Sequence, residues 1–258
     1  MLHGIEAAGP AISLFAIAAA APVGSFLGVA VLRSGTESIL WPARSHCPHC
    51  AVVLAPRDLV PLASWLAARG RCRSCGEPLG LFYPAIEIAA LAVALWSVLA
   101  SDGAWQAAAG CLLGWTLLTI AAIDQRRMII PDILSLPLIP AGLAVAALTA
   151  PVPAGAIADS AVGAALGYAI LAALAAVYRR LRGREGLGRG DMKLMAAAGA
   201  WVGWQGLPSV MLVAGSLGLI LAACGVLAGR DLDARRRRPF GPALCLAFQA
   251  VWLHGTVA

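Results

Sequence analysis

The sequence predicts an all-α polytopic membrane protein of about eight transmembrane helices, with a small zinc-binding insertion between the first and second. Three observations predict it. Of the 258 residues 60% are hydrophobic and only 12% charged, where a soluble domain carries about 25% charged residues; mean hydropathy is +0.83. The apolar residues fall into runs of about 20, enough for a helix to cross a bilayer. Basic charge is confined to alternate connections between those runs.

In chain order the runs place spans at 11–32, 84–101, 105–123, 133–150, 156–178, 191–206, 208–229 and 241–257. All 19 basic residues fall in four connections. Loop 33–83 holds Arg33, Arg44, Arg57, Arg69, Arg71 and Arg73, and loop 124–132 holds Arg126 and Arg127. Loop 179–193 holds Arg179, Arg180, Arg182, Arg184, Arg189 and Lys193, and loop 230–240 holds Arg230 and Arg235 to Arg238. The connections near Asp102, at Pro151 to Gly155 and at Gly206 to Pro208 hold none. Lysine and arginine mark the cytosolic side, so these four loops face the cytosol and both termini lie outside, which requires an even number of spans. The sixth span is the weakest, because Gly199, Gly203 and Gly206 lower its helix propensity.

Ala18 to Ala21 imitate the end of a signal peptide, but no basic residue precedes the first apolar run and Arg33 follows it. That order predicts a retained N-out anchor. The organisation is therefore a first helix at 1–32, a cytosolic loop domain at 33–83, and a seven-helix membrane body at 84–258. The pI near 9.2 invites a nucleic-acid reading, but topology accounts for the arginines and no aromatic residues interleave with them. The partner expected from composition is the lipid bilayer, with Arg235 to Arg238 against its anionic surface.

Only the segment from Ser34 to Tyr83 is long enough to fold outside the bilayer. It carries Cys47-Pro48-His49-Cys50 and Cys72-Arg73-Ser74-Cys75, two CxxC pairs at the spacing of a tetrahedral zinc site. A segment this small has little core, so a metal would supply much of its folding free energy. The competing reading, disulfides or redox dithiols, is disfavoured by a reducing cytosol. His46 and His49 are expected to be bystanders, since four cysteines fill the shell. Cys111, Cys224 and Cys245 fall within spans and read as small packing residues.

Asp124 and Asp191 each lie where a long apolar run meets an arginine-rich loop, and ionisable groups at a membrane boundary are functional candidates by default. The third span runs inward and ends at Asp124; the sixth runs outward from Asp191. Both carboxylates therefore reach the same membrane face, where a pair could carry out acid–base hydrolysis. Asp191 also reads as the N-cap of a helix from Met192, and Asp132, after Pro131, as the N-cap of the fourth span. Asp124 has no such explanation, because a carboxylate at a helix C-terminus opposes the macrodipole.

Four blocks together resemble the type IV prepilin peptidase family. They are Pro22-Val23-Gly24-Ser25-Phe26-Leu27; the two CxxC pairs with Arg69-Gly70-Arg71, Tyr83-Pro84 and Glu87; Ile123-Asp124 with Ile130-Pro131-Asp132; and Gly188-Arg189-Gly190-Asp191-Met192-Lys193-Leu194, followed by Gly199-Ala200-Trp201. The blocks cover most of the chain in the family's order. The departures are Gly28, where many members have asparagine, and Ser135, where threonine is common.

The resemblance implies a GxGD-type aspartyl endopeptidase of the bacterial inner membrane, acting at the cytoplasmic face on membrane-inserted prepilins and pseudopilins of type IV pili or type II secretion. It implies Asp124 and Asp191 as the proteolytic pair, one ionised to activate water and one protonated to polarise the scissile carbonyl. Gly188 and Gly190 would let backbone approach the extended substrate, and Lys193 would bias the pair or serve as an interfacial anchor. Members with the cysteine loop also N-methylate the new N-terminus using S-adenosylmethionine. Glu87 is the carboxylate expected to serve that step, the alternative being a structural ion pair with a loop arginine. A transporter with the aspartates as ion ligands is the rival from another class, disfavoured because both carboxylates sit at one face rather than at the midplane.

Overall fold

The computed structural model describes residues 3–35, 45–183, 186–227 and 239–255, and among them every regular element is a helix. The long elements are α1 (His3–Arg33), α3 (Phe82–Leu99), α4 (Ala104–Arg127), α6 (Leu138–Thr149), α7 (Pro153–Arg182), α8 (Arg189–Leu227) and α9 (Gly241–His254). Two short helices, α2 (Ala63–Ala67) and α5 (Asp132–Ser135), and a 3-10 turn at Pro56–Asp58 complete the set. The arginine run 235–238 and Arg44 and Arg184 lie outside the described residues.

Among the described residues six helical stretches are long and apolar enough to cross a membrane, α5 and α6 counting together as Asp132–Thr149. The expected sixth and seventh spans appear as one continuous α8, broken at Gly203, whose φ of 70° and ψ of 176° are non-helical. The break lies a few residues before the predicted connection at Gly206 to Pro208. Gly203 supplies the positive φ at little steric cost. Counting both halves of α8 and the 14-residue α9 gives eight helical segments, as the hydropathy pattern predicts. Large apolar side chains point outward, with Phe15 74%, Leu99 83%, Leu219 72% and Leu227 88% exposed. In water such a surface would be an aggregation hazard; in a bilayer it is the solvated face of a multi-pass membrane protein.

The chain divides into two compact units, Met1–Thr119 and Ile120–Ala258. In the first, α1 crosses α3 where Gly24 and Gly28 leave no side chain in the way. A Cβ on Gly24 would stand 2.7 Å from Glu87 Cα and 2.9 Å from Ala90 Cβ, and one on Gly28 3.0 Å from Ile86 Cγ2. Small residues four apart permit this close approach, which in lipid replaces the absent hydrophobic drive with packing. Ala16, Ala20, Ala90, Ala94, Cys111 and Trp115 form the core beside it, and the Trp115 indole donates to the Ala90 carbonyl at 3.0 Å.

In the second unit α8 is the central helix. Its Gly199 meets Gly163 of α7 backbone to backbone, and Gly167 of α7 rests on the Met195 carbonyl. Gly142 of α6 lies against Ala200 and Trp201, at 2.8 and 2.6 Å from an added Cβ. Trp201 donates to the Leu138 carbonyl at 2.7 Å and meets Phe248 and Trp252 of α9 edge to face. Its polar N–H is therefore satisfied inside an apolar core. Leu194, Met195, Ala197, Ala198 and Phe248 are fully enclosed there, so the helix beginning at Arg189 has a rigid seat.

Candidate active site and metal centre

Helix α4 continues past the expected end at 123 to Arg127, which places Asp124 inside its last turn. Met128, in the left-handed region at φ 59°, ends the helix by donating its amide to the Asp124 carbonyl at 2.8 Å. The Asp124 side chain is buried, at 6% exposure. Its Oδ2 accepts the Gly241 amide at 3.0 Å, the first residue of α9. The positive end of α9 thus offsets the penalty of a carboxylate at the C-terminus of α4. Gly241 must be glycine, because an added Cβ would stand 2.5 Å from Asp124 Oδ2 and 3.0 Å from Cγ.

Asp191 lies within the first turn of α8, not before it. The helix starts at Arg189 rather than Met192, so the expected N-cap role is corrected. From the third helical position the Asp191 Oδ2 accepts the Gly188 amide at 3.2 Å, reaching back as the acidic half of a capping box does. The two carboxylates are near enough to act on each other electrostatically. Both also act on the thiol of Cys245, which is buried one turn beyond Gly241. The two carboxylates that the sequence singled out thus lie within electrostatic range of each other, each accepting a backbone amide.

The other residues of this region have local duties. Gly190 allows the start of α8 to pack on Ile130, whose Cβ would be 2.7 Å from an added Cβ. Lys193 Nζ contacts both oxygens of Asp132 at 2.7 Å, tying α8 to α5. Asp132 is therefore an ion-pair partner and not the expected N-cap, a position held by Pro131. Cys111 and Cys245 are buried as expected, but Cys224 is exposed. The residue that sequence reasoning missed is Gly241. A Gly-Pro pair opening a helix signals only a helix start, and Gly241 lies 117 residues from Asp124.

The two CxxC segments fold alike. Cys47 and Cys72 each close a tight turn by donating their amides, Cys47 to the Val52 carbonyl at 3.0 Å and Cys72 to the Glu77 carbonyl at 2.8 Å. Each turn is flanked by an isolated antiparallel bridge, His46 with Val53 and Arg71 with Pro78. The His49 and Ser74 amides donate to the Cys47 and Cys72 sulfurs at 3.4 Å. The left-handed residue that each turn needs is Ala51 in one and Gly76 in the other.

The four sulfurs of Cys47, Cys50, Cys72 and Cys75 lie within 4.8 Å of one another, with Cys47–Cys75 at 3.9 Å and Cys50–Cys72 at 4.0 Å. A Zn–S bond of about 2.3 Å puts tetrahedral sulfurs about 3.8 Å apart, so the cluster can hold a metal ion. The Cys75 and Ser74 amides stabilise the Cys72 thiolate, lowering its pKa to about 6. At Cys75 the Glu77 amide also favours the thiolate, but desolvation and the neighbouring sulfurs outweigh it and push the thiol up to about 12. The Cys72 thiolate is favoured and the Cys75 thiolate opposed, an imbalance that a divalent cation would remove.

Glu87, in the second turn of α3, is 5% exposed. Its Oε2 accepts the Leu62 amide at 2.8 Å, holding a residue with the positive φ of 56°. The carboxylate is thus anchored to the loop through a backbone amide.

The helical membrane body, the paired carboxylates and a four-cysteine cluster able to hold a metal ion are those of an intramembrane enzyme. The chain belongs to the type IV leader peptidase family: that family's model matches residues 111–223, and the bacterial peptidase A24 N-terminal domain matches 18–101. It is 41% identical over 214 residues to a prepilin leader peptidase/N-methyltransferase of Aeromonas hydrophila, covering 82% of this chain and 72% of that one. A protein of the same description from Burkholderia pseudomallei is 41% identical over 221 residues, covering 83% and 68%. One from Pseudomonas aeruginosa is 35% identical over 225 residues, covering 86% and 75%. No solved structure matches the chain.

Proposed function

We propose that this chain removes the leader peptide of type IV prepilins or pseudopilins at the cytoplasmic face of the bacterial inner membrane, and N-methylates the new N-terminus. The observation that supports the peptidase reading is that Asp124 and Asp191 lie within electrostatic range of each other, each with one oxygen accepting a backbone amide. In this reading one aspartate is ionised and takes a proton from water. The other is protonated and polarises the scissile carbonyl. The oxygen–carbon bond forms, the carbon–nitrogen bond breaks, and the departing amine receives a proton from the pair. The titration belongs to the dyad as a whole.

The four cysteines fit structural zinc by donor set and spacing, and the metal would hold the insertion together. S-adenosylmethionine supplies an electrophilic methyl group when bound. Glu87 is the carboxylate proposed to take the proton from the new terminal ammonium, so that the nitrogen lone pair is available. Cleavage of a prepilin in proteoliposomes tests the dyad. Asp124→Asn and Asp191→Asn should each lower the rate by ~10³-fold or more, with the unfolding midpoint retained. Normal cleavage by either variant removes that aspartate from the mechanism.

A further inference from the structure

The short connection between α4 and α5 is anchored beside one aspartate at each end. Met128 donates its amide to the Asp124 carbonyl at 2.8 Å, and Ile130 packs on Gly190, the residue before Asp191. From Ile129 to Pro131 the chain is neither helix nor turn, and the sequence enforces this. Met128 takes a positive φ of 59°, which stops α4. Pro131, itself extended at φ −68° and ψ 131°, keeps Ile130 out of the helical region, and β-branched isoleucine favours extended backbone. Main-chain groups are left over. Among the described residues no hydrogen bond engages the amide or carbonyl of Ile129 or Ile130, or the carbonyl of Met128. The side chains divide: Ile130 is buried, while Met128 and Ile129 are 44% and 56% exposed. Lipid can cover two apolar side chains, but hydrocarbon offers nothing to unpaired amides and carbonyls. A second extended peptide satisfies both.

We infer that Ile129, flanked by Met128 and Ile130, is the edge on which the substrate's scissile segment is laid as an added strand. The inference rests on the peptidase reading above and says how that site grips its substrate. The amide and carbonyl of one strand residue can both bond to the same neighbouring strand, so Ile129 offers a substrate one donor and one acceptor. Pairing cannot run on past Ile130, because Pro131 has no amide and its carbonyl is taken by Leu134 and Ser135. The grip is therefore short and local to the cut. Made to the main chain, it holds the substrate extended, with its scissile carbonyl open to the aspartates whose elements the segment joins. Strand addition also tolerates different side chains, and the flexible thioether of Met128 suits apolar neighbours of varied shape.

The test alters the substrate, so the enzyme's folding is not at issue. Synthetic prepilin-type peptides spanning the leader junction are cut by the full chain in proteoliposomes. Each carries one N-methylated amide, placed in turn on either side of the scissile bond and never at the scissile nitrogen. Methylation of one amide beside the cut should lower kcat/KM at least about tenfold, while alanine at that residue, which keeps the amide, should cost less than about threefold. A benzophenone side chain placed at position 128 or 129 of the Asp191→Asn chain should cross-link, on illumination, to the residue bearing that amide or to its neighbours. Equal tolerance of every methyl group, or cross-links that fall on lipid alone or far from the cut, overturns the edge. It leaves the peptidase reading intact, because the unmodified peptide is still cleaved. If the wild type leaves the unmodified peptide whole, the peptidase reading fails and the inference falls with it.

Discussion

Gly241→Ala is a one-carbon change with a calculable consequence. The new Cβ would stand 2.5 Å from Asp124 Oδ2, whereas ordinary contact begins at 3.4 Å, so about 0.9 Å must be opened between α9 and the carboxylate. If the carboxylate turns away, it loses the 3.0 Å amide bond, and a hydrogen bond to a charged group is worth about 1.5–3 kcal/mol. If α9 moves instead, the donor moves with it. Either response misplaces one member of the dyad by nearly 1 Å, a displacement that costs on the order of 10²-fold in rate. That factor corresponds to about 2.7 kcal/mol, within the range set by the lost bond. The assay is initial-rate cleavage of a prepilin in proteoliposomes, with the unfolding midpoint measured on the same sample. The expected outcome is a fall of about 10²-fold in kcat with KM little changed, because the lost interaction acts on the reacting groups and not on substrate docking. A folded Gly241→Ala protein cleaving within about twofold of wild type would refute the claim that this amide holds the dyad.

Four further outcomes follow from other contacts. Among residues 45–80 only Cys47, Gly70 and Cys72 are buried, so chelating the metal should expose the segment to trypsin at Arg69, Arg71 and Arg73, and zinc should restore protection; equal nicking rates with and without metal would contradict it. Because a metal here competes with protons for the four thiolates, metal release monitored by a chromogenic chelator should rise as pH falls, and release indifferent to pH would contradict thiolate ligation. The Lys193–Asp132 pair is partly exposed, 31% and 56%, so Lys193→Met should cost no more than about 1 kcal/mol in stability and lower cleavage far less than either Asp→Asn change. Gly199→Val would drive a branched side chain into the backbone of α7 at Gly163, and should lower the unfolding midpoint in detergent sharply or abolish accumulation of the protein.

The span pattern was legible because bilayer thickness imposes it on the sequence: runs of about 20 apolar residues and arginine-bearing alternate loops leave little freedom. The cysteine centre was legible because its ligands come in local pairs. The aspartates stood out because charge inside an apolar run is costly. The remainder depends on contacts distant in sequence. Nothing local distinguishes Gly241 from any glycine that opens a helix, and its necessity comes from a carboxylate 117 residues away. Asp132 follows a proline and looks like a cap, yet Lys193, 61 residues on, takes it as an ion pair. Glycine permits a break without fixing its place, so Gly203 rather than Gly206 interrupts α8.

The account assigns two chemistries to different side chains acting in order on one substrate. Intact-mass spectrometry of a prepilin incubated in proteoliposomes with S-adenosylmethionine tests this most directly. The wild type should release a pilin lacking its leader and heavier by one methyl group. Asp124→Asn and Asp191→Asn should leave the prepilin whole, yet still methylate a pilin supplied already cleaved. Glu87→Gln should yield the cleaved, unmethylated product. A prepilin shortened by either asparagine variant, or a pre-cleaved pilin that neither variant can methylate, would contradict the account.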